Sequence, residues 1–279
     1  MKHLILKAVL VSGLTFLAAG ALKAQSDSTK VKIDYGKGIS IDSNRKAKKV
    51  TISIGNGNIV QINGDSSANK NGRFVGGVTF TRLDIGLTKL VDNGSFSLSP
   101  TNDFLDYKPW KTSTVSFDVL QFGYRFSNHF KVYLAGGFDW TLIRLDRNIT
   151  IKKDVPVLDY DVITDATFSK NRFSASYVHF PLNFEFRTKE DHKGKRFRFV
   201  VGPEVAFLLG GKVKQISEER GKVKFTDDYN FTPFRYGGTA RIGYGGLGLF
   251  AKYSASDLFD TDAQKGLKAM SFGITFGLN

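Results

Sequence analysis

Between Phe234 and Ser256 apolar and polar positions alternate with a period of two. Phe234, Tyr236, Ala240, Ile242 and Tyr244 share one side, and Arg235, Thr239 and Arg241 share the other, with Gly237 and Gly243 among them. That is the period of a strand, whose successive side chains point to opposite faces. Gly245-Gly246 then offers the positive φ angles of a tight turn. Beyond it Leu247, Leu249, Ala251 and Tyr253 alternate with Gly248, Phe250, Lys252 and Ser254. The pattern predicts a hairpin with one apolar face and one small, cationic face. A soluble sheet would turn the charges to water, whereas a transmembrane barrel would turn the apolar face to lipid and the polar face inward.

The same alternation recurs from Arg73 onward. It predicts strands at about 73–85, 115–126, 130–142, 178–187, 196–209, 234–244, 247–254 and 268–278. The third is the clearest, with Phe130, Val132, Leu134, Phe138, Trp140 and Leu142 set against Lys131, Tyr133, Ala135, Gly137, Asp139 and Thr141. In the second, Asp118 falls on the apolar side, so either the membrane part begins after it or a bulge shifts the register there. Pro203 lacks a ladder donor and marks a local irregularity. Connections between the strands run long, short, long, short, long, short, long, which is the arrangement of outer-membrane barrels. Eight strands is an even number, which brings both termini to the periplasmic side. Phe130, Phe186, Phe197 and Tyr244 fall near the short turns, and Trp140, Phe207, Phe234 and Tyr236 near the other end, as two interfacial girdles would. The expected fold is all-β: an eight-stranded antiparallel up-and-down transmembrane barrel over residues 73–279. A soluble β-sandwich is the competing fold.

Residues 1–24 have a basic start, a short apolar core broken by Lys7, and small residues ending at Ala24, and are expected to be a secretory signal peptide. Residues 25–72 are polar and lysine-rich. Short alternating pieces flank Gly55-Asn56-Gly57-Asn58, so this segment is expected to be a small β-hairpin or a disordered periplasmic stretch ended by the linker 65–72. After residue 24 no apolar run is long enough for a spanning helix.

The chain carries a formal charge of +14, and +11 once Lys2, Lys7 and Lys23 leave with the signal. Export argues against nucleic acid as the anionic partner and for outer-membrane lipid and lipopolysaccharide. The cations of the outer connections, Arg144, Arg147, Lys152, Lys153, Lys212, Lys214, Arg220, Lys222 and Lys224, suit its phosphates, and generic solvated charge is the equal alternative. Cysteine is absent, so there is neither a disulfide framework nor a thiolate metal site. No nucleophile elbow, zinc-helix motif or phosphate-binding glycine loop is present, and no catalytic residue, metal or cofactor is expected. His179 is the one histidine inside a predicted strand. Ser174 and Ser176 lie on the opposite face from it, so it reads as an interior hydrogen-bonding residue rather than part of a lipid-modifying site.

The inward charges are more informative: Arg125, Lys131, Asp139, Glu185, Arg187, Arg196, Arg198, Glu204, Arg235, Arg241 and Lys252. An eight-stranded barrel is just wide enough for side chains, and charges buried there must pair. Glu185 is expected to meet Arg198 or Arg241 in the periplasmic half, and Glu204 and Asp139 to meet Arg235 nearer the outside. Such a network fills the lumen, and a small wet channel is the alternative.

Four segments carry a family resemblance: Tyr177–Arg187, Phe199–Gly211, Pro233–Tyr244 and Ser271–Leu278. With their Pro-Leu and Gly-Pro strands, they make residues 73–279 resemble the Bacteroidota outer-membrane β-barrel proteins called PorT-like, the outer membrane β-barrel domain family. The resemblance implies a barrel without assigned catalytic residues, and some relatives serve envelope biogenesis or secretion. It therefore implies a structural or partner-binding role beside other envelope or secretion proteins, with a porin-like diffusion channel as the alternative. Asn279 stands where many barrels end on an aromatic.

Overall fold

The computed structural model describes residues 40–44, 49–54, 58–63 and 74–278. The expected signal peptide and the linker 65–72 lie outside them. The chain divides into two units, Met1–Asn71 and Gly72–Asn279.

In the first unit, β1 (Ser40–Asn44), β2 (Lys49–Ile54) and β3 (Asn58–Asn63) form a three-stranded sheet in that order. β2 and β3 pair antiparallel from Ile54↔Asn58 to Lys49↔Asn63, on either side of the segment where the sequence predicts a hairpin turn. β1 adds a third strand along β2.

The second unit holds eight longer strands: β4 (Phe74–Asp92), β5 (Ser113–Arg125), β6 (Phe130–Arg144), β9 (Lys170–Arg187), β10 (Phe197–Ser217), β12 (Phe234–Tyr244), β13 (Gly246–Ser254) and β14 (Leu267–Leu278). Three shorter ones, β7 (Ile149–Ile151), β8 (Tyr160–Val162) and β11 (Gly221–Asp227), lie within two of the long connections. All pairings are antiparallel. The main sheet runs β11-β10-β12-β13-β14-β4-β5-β6-β9, and β9 also pairs with β10. One edge of β10 follows β9 from Arg198↔Arg187 to Ile216↔Lys170. Its other edge follows β12 as far as Phe207↔Phe234, then takes up β11 from Gly211↔Asp227. The short turns 126–129, 188–196 and Gly245 share one end, and the connections 93–112, 145–169, 218–233 and 255–266 share the other. Gly245 and Gly246 have φ of 56° and 98°, the left-handed values that a two-strand turn requires and glycine adopts without strain.

Alternation along each strand decides its two faces. Ile242, Leu249, Phe272 and Ile274 are exposed outward, whereas Arg241, Phe250, Ser271 and Thr275 are buried inward. The outward aromatics gather in two groups. Near the short turns Tyr124, Phe126, Phe130, Phe186 and Phe199 follow one another at ring separations of 4.9–6.3 Å, and Phe197 packs on Tyr244 at 4.8 Å. Towards the long connections Phe117, Phe138 and Trp140 form one group, and Phe207, Phe234 and Tyr236 another.

Three register shifts matter for the interior. One lies between Leu208 and Gly210 in β10 and turns Val213 and Gln215 inward. The other two lie between Val78 and Arg82 in β4 and between Asp118 and Leu120 in β5. A bulge moves every following side chain to the other face. Below these points Val78 and Leu120 face out, and above them Arg82, Asp84, Ser116 and Asp118 face in and are buried. Asp118 therefore lies within a continuous strand, and of the two sequence readings the bulge applies. Gly137 pairs with Asp118 at this point, and a methyl group there would run into the carbonyl oxygen of Phe117. At Pro203 the β9–β10 ladder skips Gly202 and Pro203 without changing register.

β4, β9 and β10 extend well past the predicted strand ends, with 19, 18 and 21 residues. A tilted strand needs about 9–11 residues to cross a bilayer. The outer parts were expected to be connections because lysines and serines replace apolar residues on the outward face. A strand that has left the lipid shows this pattern, since its outer face then meets water. The inward face there mixes buried, hydrogen-bonded polar residues such as Asn171 and Gln215 with fully buried apolar ones, Phe173, Val213, Ile143, Leu90 and Leu267. Tyr229, Phe231, Leu258 and Phe259 join them from the long connections in one hydrophobic core. Phe173 stacks on Phe231 at 4.7 Å, and Phe231 stacks on Phe259 at 5.0 Å.

Candidate functional site

Below this apolar core the inward face is ionic. Asp139 on β6 pairs with Arg235 on β12 and with Lys252 on β13 at 2.9 Å. Lys252 reaches Glu204 on β10 at 2.5 Å. His179 on β9 stands between two carboxylates, Nδ1 at 3.4 Å from Glu204 and Nε2 at 3.0 Å from Asp118 on β5. Arg82 on β4 pairs with Asp118 and lies 3.6 Å from Asp84. Arg241 on β12 donates Nε and Nη2 to Asp84 at 3.2 and 2.8 Å, and Nη1 to Thr239 at 2.9 Å. One unbroken chain of charges thus links β4, β5, β6, β9, β10, β12 and β13. β14 is tied in beside it where the Ser271 and Thr88 hydroxyls lie 2.8 Å apart. The guanidinium of Arg235 also covers the ring of Tyr177 at 4.1 Å, a cation–π contact that desolvation strengthens.

A second cluster lies nearer the short turns. Glu185 meets Lys131 at 2.9 Å, Arg187 at 2.5 Å and Arg198 at 3.6 Å. Lys131 also stands over the ring of Tyr133 at 4.0 Å. Arg125 faces Lys131 across the β5–β6 ladder, and Arg198 faces Arg187 across β9–β10. Three cations thus meet one carboxylate, with Arg125 beside them. Nε of Arg125 and Nε and Nη1 of Arg198 are buried without a hydrogen-bond acceptor among the described residues. A cavity of about 20 Å³ separates the two clusters, lined by Arg82, Asp118, Lys131, Tyr133 and Glu185 among others. That is room for roughly one water molecule.

At the other end Asp92 anchors the connection 93–112. Burial works against its charge, yet hydrogen bonds from the Ser99 amide (2.7 Å), Asn102 (2.9 Å) and Asn93 (3.0 Å) outweigh it and hold the carboxyl below its usual range. Among the described residues no group of three or more His, Cys, Asp or Glu side chains could hold a metal ion.

Of the sequence-predicted charges, Asp139, Glu204, Arg235, Arg241 and Lys252 come together in the first chain, and Lys131, Glu185, Arg187 and Arg198 in the second cluster. Arg125 lies beside that cluster. Arg196 does not join it: it precedes β10 and pairs with the exposed Glu190 in the turn. Of the two partners expected for Glu185 the structure has Arg198, and Arg241 is held by Asp84. One expected partner differs: Glu204 is held by Lys252 and His179, with no ion pair to Arg235 among the described residues. The sequence reading left Arg82, Asp84 and Asp118 out because constant alternation puts them on the lipid side. The signal that could have recovered them is the run Thr114, Ser116, Asp118, polar at period two beyond the point where the apolar alternation fails.

The model of the outer membrane protein beta-barrel domain family matches residues 23–278. The chain belongs to that family. Its sheet is therefore an outer-membrane β-barrel fold, and its place is the outer membrane. No curated protein matches the chain. Among solved structures it is similar to Ail, the attachment invasion locus protein of Yersinia pestis, in complex with the heparin analogue sucrose octasulfate. Identity is 14%, over 70% of this chain and 92% of that one, with a TM-score of 0.29.

Proposed function

We propose that this family member is a closed, eight-stranded, non-enzymatic barrel whose interior is filled, and that it serves the envelope as a structural or partner-binding protein. β4, β5, β6, β9, β10, β12, β13 and β14 are the eight staves, with the β9–β10 pairing as the closing seam. Long connections face outward and short turns face the periplasm, which brings both ends of the barrel to the periplasmic side. Residues 1–24 are a removed signal, and residues 25–72 a small periplasmic unit. The resemblance to PorT-like Bacteroidota barrels supports a task in envelope biogenesis or secretion over solute uptake.

One observation carries this reading. The interior is occupied in series by an apolar core and a continuous chain of ion pairs, with a cavity of only about 20 Å³ between the two ionic clusters. A hydrated ion cannot pass a dry core packed from Phe173, Phe231 and Phe259. The non-enzymatic reading is supported by His179, which is fully buried between two carboxylates while Ser174 and Ser176 lie on the other face.

Planar-bilayer recording of the refolded full chain is the test. The expected result is a folded, heat-modifiable band on gels and no conductance steps. Steady ionic steps that Arg235→Ala or Arg241→Ala alters would replace this reading with the diffusion channel. Release of fatty acid or phosphate from outer-membrane lipid, abolished by His179→Ala, would replace it with an enzyme.

A further inference from the structure

Where β6, β9, β10 and β11 stand beyond the lipid-facing belt, their outward face is a lattice of cations. Arg144 pairs in register with Arg172, Arg172 with Lys214, and Lys214 with Lys224. Four positive side chains thus stand directly opposite one another across four strands. In the rows on either side, Lys170 and Lys222 flank Ile216, and Lys212 lies between Ser174 and Thr226. Behind this face the alternate residues Ile143, Phe173 and Val213 are fully buried, so the cations stay on the outward side of the sheet.

Like charges directly opposite on a sheet repel, and among the described residues no carboxylate stands close enough to relieve them; Arg144 donates Nη2 to the Ser169 carbonyl at 2.7 Å, which leaves its charge in place. Among the described residues none of these seven cations has an ion pair. Other cations of the long connections do: Arg147 with Asp103, Lys152 with Asp159, and Arg220 with Asp165. Repulsion from Arg172, together with burial and with Arg144 and Lys222, holds the Lys170 ammonium below its usual range. A surface kept this way is complementary to anions that come from outside the chain.

Its height says which anions. On the same face Leu142 of β6 and Leu209 of β10 end the apolar run. Arg144 is the next outward residue after Leu142, about 5 Å higher for a tilted strand. That is the headgroup layer of the leaflet, roughly 5–8 Å thick. The face continues the outward side of the belt below and so, on the barrel reading, is turned sideways towards neighbouring lipid. We propose that the Arg144–Arg172–Lys214–Lys224 row and its flanking lysines bind the phosphate groups of the outer leaflet's glycolipid. This rests on the barrel reading above, with the long connections outside.

Full-length protein in phosphatidylcholine nanodiscs, doped with lipid A carrying its phosphates or with dephosphorylated lipid A, provides the test. After transfer to detergent, native mass spectrometry reads retained lipid. Wild type is expected to keep phosphorylated lipid A about ten-fold better than the dephosphorylated form. Arg172→Gln/Lys214→Gln should lose that preference, while Arg220→Gln, whose partner is Asp165, should keep it. Without lipid A the double variant should melt higher than wild type, because repulsion has been removed. With phosphorylated lipid A the wild type should gain more in Tm than the double variant. Equal retention of the two lipids by wild type, or an unchanged preference in the double variant, overturns the proposal. Displacement of the phosphorylated lipid by a soluble sulfated polysaccharide at equal charge also overturns it, in favour of a soluble polyanion. Heat-modifiable mobility in phosphatidylcholine alone checks the barrel separately.

Discussion

Replacing Asp139 by asparagine tests the dry ionic interior most directly. The side chain keeps its size and loses its charge. Lys252 still has Glu204 at 2.5 Å. Arg235, which is 4% exposed, keeps the ring of Tyr177 at 4.1 Å, the more distant charge of Glu204 and a neutral amide oxygen where its paired carboxylate stood. A desolvated cation–π contact contributes about 2 kcal/mol, whereas a buried charge deprived of its partner costs about 3–5 kcal/mol. The ring is already present in the wild type and offsets none of the new loss, so Asp139→Asn should destabilise the folded barrel by about 3 kcal/mol. Arg235→Met leaves Asp139 paired with Lys252 at 2.9 Å and should cost less, about 1–2 kcal/mol. The double variant strands no cation, so the two changes should couple by about 2 kcal/mol. Urea titration in short-chain phosphatidylcholine vesicles, with the folded fraction read from heat-modifiable mobility, measures all three. A cost below about 1 kcal/mol for Asp139→Asn, with no coupling, would mean that water solvates Arg235. The filled interior, and the non-conducting reading with it, would then fail.

Gly137→Ala should cost at least about 2 kcal/mol, because the methyl group meets the Phe117 carbonyl across the β5 bulge. Gly77→Ala meets nothing within 4 Å and should change the same titration by no more than about 0.5 kcal/mol. Phe173→Ala should loosen the outer core by about 3–5 kcal/mol. The measurement is cleavage of the long connections by added proteinase K, with the staves still protected. Lowered pH should free the connection 93–112. The Asp92 carboxyl is held below its unfolded value, so its contribution is complete above the unfolded pKa near 4 and is lost as pH falls through the lower folded value. Protection of the amides around Ser99, their exchange rate relative to the intrinsic rate at each pH, should therefore be high at pH 5–7 and should fall away below about pH 4. Asp92→Asn should remove that transition.

The lipid-facing half of the fold was readable because its signal is large: Phe, Leu and Ile alternate with Gly, Ser and Arg in β6, β12, β13 and β14. The interior was readable only where that alternation runs unbroken, as at Lys131, Asp139, Arg235 and Arg241. A bulge inverts everything beyond it, and its one sign in the sequence was Asp118 on the apolar side, which left a bulge and a later membrane start both open. The bulge in β4 had no such sign, so Arg82 and Asp84 went unnoticed, and with them the partner of Arg241. The outer halves of β9, β10 and β11 were hidden for another reason. Above the bilayer a strand may as well be polar outside, and Lys170, Arg172, Lys212 and Lys214 therefore resembled loop residues. His179 could be placed on its face, but a single histidine cannot reveal that two carboxylates on other strands converge on it.

The outer core also bears on the order in which the protein is built. On the proposed orientation, Phe231, Leu258, Phe259 and Leu105 can join the outer core only once their connections stand on the cell exterior. Collapse on the far side then anchors the staves like a rivet head formed after the shank is through. With no cysteine in the chain, this closure needs no oxidant, and withdrawal of any one hairpin requires the whole head to come apart first.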